Sequence, residues 1–292
     1  MSTKTVTMST QEMYALKASL HNASVRKTPP YALYQVKTSD CVITAYESGK
    51  VVFQGEGADF YGSAHQDSST PSTQKTTTKN VYPQCGSDEV GTGDYFGPVT
   101  VCACCVKEED VNFLKELKIQ DSKAIQDDYI MNIAPLLMER LTYSLLILDN
   151  ATYNRIHPTN NMVAIKSKLH NQAYVHLQKK LGSLPSFCII DQFVQKTSYY
   201  RYLSQEKEIV KDIHFETKAE NKYLSVACGS VIARYAFLKA MEDMNQRYDF
   251  TFLKGAGAKV DENIRAFVER FGKEELQAVA KVHFANTTKA FL

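Results

Sequence analysis

The dipeptide Asp88–Glu89 stands just before a glycine-rich turn in the segment Cys85-Gly-Ser-Asp-Glu-Val-Gly-Thr-Gly-Asp-Tyr-Phe-Gly-Pro98. Two adjacent carboxylates are candidates for general acid–base work or for holding a hard cation through oxygen. Neighbouring side chains on a regular strand point to opposite faces, so the pair shares one site only where a strand ends, as the glycines imply. Gly91, Gly93 and Gly97 also let backbone approach a ligand without a Cβ in the way. A dinucleotide phosphate loop is excluded, because the spacing is G-x-G-x-x-x-G and a strand, not a helix, follows. A charged surface hairpin fits the same letters, since turns are commonly polar and glycine-rich.

Two further acids carry weight by position. Asp191 closes the apolar run Phe187-Cys-Ile-Ile190, and the carboxyl ends of strands are where open α/β sheets place ligands. A helix cap or turn is the plainer use of an Asp there. Glu220, in Thr217-Lys-Ala-Glu220, falls in the first turn of a helix whose Val226–Ala233 stretch is small-residued and apolar, hence buried rather than amphipathic. By itself that acid complements the helix dipole. Lys123, in Asp121-Ser-Lys123, is a candidate phosphate contact or a solvated lysine on a first helical turn. Asp94 reads as a loop tie. His170, His214 and His283 lack metal-ligand spacing and read as structural or peripheral.

The elements that must position these residues divide into two domains. Residues 62–80 are polar and almost free of large apolar side chains, so they read as a flexible linker. Before it, residues 1–61 open with the capping box Ser9-Thr-Gln-Glu12 and a helix to about residue 23. Strands follow over 31–36, 41–46 and 51–54, the last two joined at Ser48-Gly49, giving a small α+β domain. Tyr46 and Phe53 of this sheet have rings that could stack or wedge against a planar ligand such as nucleic acid, with packing in the core the plainer expectation for most of them. Residues 81–292 read as strands over 81–88 and 97–106, a helix from 121 to about 140, a strand over 143–148 and a helix over 160–180. Strands over 187–190 and 212–216 and helices over 219–247, 261–271 and 273–282 complete it. Hairpin strands first, then alternation with helices, give a mixed α/β sheet flanked by helices.

Composition excludes little. The chain has 292 residues, 44% hydrophobic and 23% charged, with a net charge of +2, so no bulk basicity announces a polyanion partner. The positive excess lies in residues 1–80, with eight Lys/Arg against six Asp/Glu. Seven cysteines, mostly in apolar company, read as reduced thiols of a cytoplasmic protein. Cys102 and Cys105 share a strand and face opposite sides, which argues against zinc. No signal core or membrane span is expected.

Taken together, G-S-D-E-V-G-T-G-D-Y-F-G-P, D-S-K, I-I-D and T-K-A-E with S-V-x-A-R downstream closely resemble bacterial ribonuclease HIII of the type 2 RNase H group. Lys168-Leu-His-Asn-Gln172 and His283-Phe-Ala-Asn-Thr287 extend the likeness over essentially all of 81–292. The segment Ser48-Gly-Lys-Val-Val-Phe-Gln-Gly55 resembles the TBP-like substrate-binding domain of that branch. The resemblance implies an RNase H-like five-stranded sheet with Asp88 near its centre. It implies Asp88, Glu89, Asp191 and Glu220 as the catalytic, metal-holding acids, with Mg²⁺ or Mn²⁺. The backbone of Gly91, Thr92 and Gly93 would read the ribose 2′-OH, with Lys123 on phosphate. The implied activity is endonucleolytic cutting of the RNA strand of RNA/DNA hybrids, leaving 5′-phosphate and 3′-hydroxyl ends, by a monomer serving DNA replication and repair. Cutting at single embedded ribonucleotides, as in ribonuclease HII, and hybrid binding without catalysis are the alternatives. One departure from the family is Ala227-Cys-Gly-Ser230 in place of an alanine-rich run; Gly229 is expected to loosen the helix by about 1 kcal/mol relative to Ala.

Overall fold

The computed structural model describes residues 3–20, 23–38, 41–55, 58, 81–119 and 126–291. The expected linker over 62–80, Lys123 and the helix start at Asp121 lie outside the described residues. The chain divides into two units, Met1–Thr77 and Thr78–Leu292.

In the first unit the capping box forms: the Ser9 side chain accepts from the Glu12 N–H, while the Glu12 carboxylate accepts from the Ser9 N–H at 2.7 Å. Helix α1 (Thr10–Ser19) ends four residues before the expected limit. Strands β3 (Ala32–Lys37), β4 (Cys41–Tyr46) and β5 (Lys50–Gly55) stand where the alternation put them, and Gly49 at φ +87 makes the hairpin turn. Two strands were not anticipated, β1 (Thr3–Thr7) and β2 (Ser24–Val25). They complete an antiparallel sheet in the order β1-β5-β4-β3-β2, packed on Met13 and Leu16 of α1. Phe53 is buried in that core, as expected.

The second unit is built on a mixed five-stranded sheet in the order β10-β9-β6-β7-β8, from β6 (Gln84–Val90), β7 (Val99–Val106), β8 (Thr142–Leu148), β9 (Cys188–Asp191) and β10 (His214–Glu216). β6, which carries Asp88 and Glu89, is the central strand: antiparallel to β7, parallel to β9. Helix α2 (Val111–Glu116), absent from the sequence reading, precedes α3 (Asp127–Arg140). A second missed helix, α4 (Asn150–Ile156), precedes α5 (Met162–Leu181), and a third, α6 (Lys196–Tyr202), follows β9. The long α7 (Leu224–Tyr248), α8 (Ala258–Phe271) and the short α9 (Leu276–Val279) and α10 (Asn286–Lys289) end the chain. The 273–282 helix is thus reduced to a single turn.

Two cores sandwich the sheet. On one face α3 and α7 pack against Cys102 and Cys104; on the other α5 packs against Cys85, Val101, Ala103 and Cys105. Cys102 and Cys105 therefore do face opposite sides, and all seven cysteines are buried thiols. Helix α7 is apolar and long enough to cross a membrane by length and composition, but 67% of its apolar window is buried within the unit.

The closest packing fixes the site. A Cβ on Gly86 would stand 2.4 Å from the Val226 nitrogen, and one on Gly229 would stand 2.8 Å from the Cys102 carbonyl oxygen. α7 thus crosses β6 and β7 at backbone contact, possible only because both residues lack a Cβ. The expectation that Gly229 merely loosens the helix is corrected: its bare Cα is what lets α7 lie against the strand that carries Asp88.

Candidate active site

The strand does not end at the acidic pair. β6 runs on to Val90, so Asp88 and Glu89 obey the two-residue pleat and divide between the faces of the sheet. Asp88 turns toward α7, where Ser230 hydrogen-bonds it, and its Oδ1 also accepts from the Glu89 N–H at 2.8 Å. Glu89 turns toward α5. His170 Nε2 lies 2.8 Å from its Oε2, and the Lys166 ammonium pairs with its Oε1. Lys166 and His170 are one helical turn apart, so they present side by side. Ser87 Oγ, 2.7 Å from His170 Nδ1, fixes the ring, and Phe193 stacks on it while lying under the Lys166 ammonium.

The two acids accordingly differ in proton affinity. Burial first, then the neighbouring Glu89 charge, pushes Asp88 up to about 8, against hydrogen bonds that pull it down. Burial also works to raise Glu89, but the hydrogen bond and charge of His170, with those of Lys166, outweigh it and hold the carboxyl below its usual range.

Asp191 follows Ile190, the partner level with Ser87 on β6, so it comes to the strand end beside Asp88. Its Oδ1 accepts from the Ala219 N–H at 2.8 Å. Burial raises its pKa; the Ala219 bond opposes this, and the charges of Glu220 and Glu89 add to the rise. Glu220 is not in the first turn of the long helix but in a separate 3-10 turn, Ala219–Asn221, ahead of α7. Lys218 at φ +55 makes the reversal from β10 into that turn. The Glu220 Oε1 accepts from Asn221 at 3.0 Å, and the residue is buried.

Asp88, Asp191 and Glu220 line one cleft of about 210 Å³, closed by Ile130, Ser230, Val231 and Arg234. Glu89 lines a second, of about 460 Å³, with Gly91, Thr92, Gly93 and Asp94. Ser230 and Arg234 border both clefts. Arg234 also bonds Asp127 at 2.6 Å, and Lys254 pairs with the same carboxylate. Among the described residues no three acids, histidines or cysteines converge as a ready-made cation cage. Burial, with a smaller contribution from neighbouring carboxylates, raises both Asp88 and Asp191, and a hard divalent cation is the partner that suits such oxygen-only donors.

The glycine turn is ordered from behind. Gly91 has φ +90, where a Cβ would stand 2.2 Å from the Pro98 carbonyl oxygen; Gly93 faces open space. Asp94 ties the loop as expected, its Oδ1 accepting from Gly255 N at 2.5 Å. Of the histidines, His283 stacks on His157 and His214 meets Glu216 at the surface, but His170 touches a candidate acid directly. Sequence reading missed its role and that of Lys166, although a polar i, i+4 pair on an otherwise buried helix face was the available signal. Ser230, Arg234 and Lys254 were also missed as site residues.

Comparison with known proteins agrees with this architecture. The family model described as Ribonuclease HII matches residues 85–287, and a domain of unknown function, DUF3378, matches residues 4–79. Ribonuclease HIII of Bacillus pumilus is 40% identical over 96% of this chain and 95% of its own length. That of Bacillus cereus is 40% identical over 90% of each. A crystal structure of Bst-RNase HIII in complex with Mn²⁺ superposes with a TM-score of 0.69 at 38% identity, covering 99% of this chain and 98% of that one. Aquifex aeolicus RNase H3, at 19% identity and a TM-score of 0.57 over 96% of this chain and 99% of its own, shares the fold. With two-domain likeness along nearly its whole length, the chain belongs to the ribonuclease HIII family.

Proposed function

We propose that the chain is a metal-dependent endoribonuclease that hydrolyses the RNA strand of RNA/DNA hybrids, leaving 5′-phosphate and 3′-hydroxyl ends. The observation that carries the reading is the meeting of Asp88, Asp191 and Glu220 in one cleft, bordered by the glycine-loop cleft that Glu89 lines. The four acids would hold Mg²⁺ or Mn²⁺. Such ions, when bound, supply an activated water and charge for the leaving 3′-oxygen.

The chain's own groups supply the rest. His170 and Lys166 keep Glu89 ionised and aimed, and Ser230 orients Asp88. Arg234 and Lys254, at the rim, offer positive charge to a phosphate backbone. The exposed backbone at Gly93 leaves room for a sugar edge to approach, and selection of RNA through its 2′-OH is assigned to Gly91–Gly93. Lys123 is proposed as a further phosphate contact. The first unit, by its likeness to a TBP-like module, is assigned to holding the hybrid. The protein is read as a cytoplasmic monomer acting in replication and repair.

A cleavage assay with each metal on three substrates tests this: an RNA/DNA hybrid, a DNA duplex with one embedded ribonucleotide, and an all-DNA duplex. The hybrid is expected to be cut, the embedded ribonucleotide poorly and the DNA not at all, and Asp88→Asn should abolish cutting. Equal cutting of all-DNA duplex, or full activity of that variant in EDTA, overturns the proposal. Hybrid binding without turnover in either metal would favour a binding protein instead.

A further inference from the structure

Lys281 lies behind the glycine loop and is fully buried. Its ammonium donates to the Asp94 carbonyl oxygen at 2.9 Å and to the Gly97 carbonyl oxygen. The same stretch of chain is stitched to the loop by its backbone. Lys281 N–H donates to the Tyr95 carbonyl at 2.8 Å, Gly97 N–H donates to the Val279 carbonyl at 3.0 Å, and Phe96 bridges to Ala280. Asn150 of α4 gives the Gly97 carbonyl a second donor at 2.9 Å.

Both hydrogen-bond partners of the ammonium are main-chain carbonyls, and burial pulls its pKa down to about 7 against the opposing charge of Asp94. Taking a cation out of water is costly, and an apolar side chain of the same length would fill the space without that cost. Packing alone therefore does not account for a lysine. What the ammonium adds is geometric. It draws the carbonyls at both ends of Asp94–Gly97 inward, to one point. Gly91, Thr92 and Gly93 precede that stretch directly, and they form the wall of the cleft beside Glu89.

We propose that Lys281 is the positioning residue of the ribose-selecting loop: its ammonium gathers the Asp94 and Gly97 carbonyls and so fixes the backbone of Gly91–Gly93 at the setting that recognises a 2′-OH. This rests on the reading that the loop backbone selects RNA. Lys281 hydrogen-bonds none of the four acids, and its effect is on discrimination.

The test is a cycle between protein and sugar, run on the full-length chain with Mg²⁺. The substrates are an RNA/DNA hybrid and a series in which a single 2′-deoxynucleotide is moved through the RNA strand around the main cut. In the wild type, one position should carry a large loss of kcat/KM on removal of the 2′-OH. In Lys281→Met, cleavage of the intact hybrid should fall 10-fold or more, while the loss on removing that 2′-OH should shrink at least threefold. The Mg²⁺ concentration for half-maximal rate should stay within twofold. A variant that slows all substrates by one common factor, with the 2′-OH effect unchanged, overturns the proposal and leaves Lys281 a plain core residue. A wild type with no sensitive position instead overturns the loop reading beneath it. Should Lys281→Met fail to fold, Lys281→Gln, which keeps a polar side chain at the buried position but removes the charge and shortens its reach to the Asp94 and Gly97 carbonyls, enters the same cycle, and an unchanged 2′-OH effect there overturns the proposal equally.

Discussion

Replacing Gly229 by alanine separates two opposite expectations. Helix propensity alone says that the change stabilises α7 by about 1 kcal/mol. The packing says otherwise: the new Cβ would stand 2.8 Å from the Cys102 carbonyl oxygen, 3.4 Å from that of Gly86 and 3.6 Å from the Asp88 nitrogen. The nearest atom is strand backbone and cannot swing aside, so α7 must move off the sheet by roughly half an ångström to reach ordinary contact. Overpacking of this kind costs about 1–3 kcal/mol. Set against the propensity gain, the net is a loss of about 0–2 kcal/mol, or about 2–4 °C of Tm per kcal/mol for a unit of this size. The same movement carries Ser230 away from Asp88. A misplacement of 1 Å can cost about 10²-fold in rate, so half of that predicts roughly a tenfold fall in kcat. Thermal unfolding and steady-state hybrid cleavage would be measured together, with Gly93→Ala as a comparison, since a Cβ there meets nothing within 4 Å and should leave Tm unchanged. A higher Tm with undiminished kcat for Gly229→Ala would refute the close-approach reasoning.

Three other outcomes are expected. His170→Ala and Lys166→Met each remove a partner that holds Glu89 ionised, and outer partners of this kind are worth about 10–100-fold in activity; wild-type rates in Mg²⁺ for both variants would show the contacts to be incidental. In EDTA, folded Asp88 titrates near 8 while the unfolded group titrates near 3.8, so between those values the folded chain binds the extra proton and stability falls as pH rises. Asp88→Asn removes that dependence. Its Tm relative to wild type should therefore climb from pH 5 to 8 by at most about 3–6 °C per unit, less as solvent screens the partly exposed carboxylate; a constant difference across that range contradicts the raised pKa. Removing residues 1–77 should raise KM for the hybrid roughly tenfold or more and leave kcat within a few-fold, and an unchanged KM argues against a binding role for the first unit.

The strands of both sheets were legible where they are strongly patterned and their turns carry glycine at the required places, Gly49 in the first unit and Gly97 in the second. Short edge strands were not. β1 and β2 hold few apolar residues and exist only by pairing with β5 and β3, a long-range contact that local pattern does not encode. Helices α2, α4 and α6 run six or seven residues and were passed over for the same reason. The acids were legible as types and spacings, and Asp94 as a tie. Their partners were not, since Lys166, His170 and Lys281 reach the site from α5 and from the chain after α9, far away in sequence.

That difference changes what the acidic pair means. By the pleat alone, adjacent carboxylates such as Asp88 and Glu89 share one site only at a strand end. Because β6 continues through both, the pleat sends them to opposite faces, and each meets a different chemistry. Glu89 finds a lysine and a histidine of this chain and stays ionised. Asp88 finds a serine, a helix pressed against its strand and other carboxylates, and holds its proton to about pH 8. Glu89 is thus balanced from within the fold, while the other three acids line a cleft whose oxygen donors suit a hard divalent cation. The place of that ion is then set by the packing of α7 on β6 as much as by the count of acids.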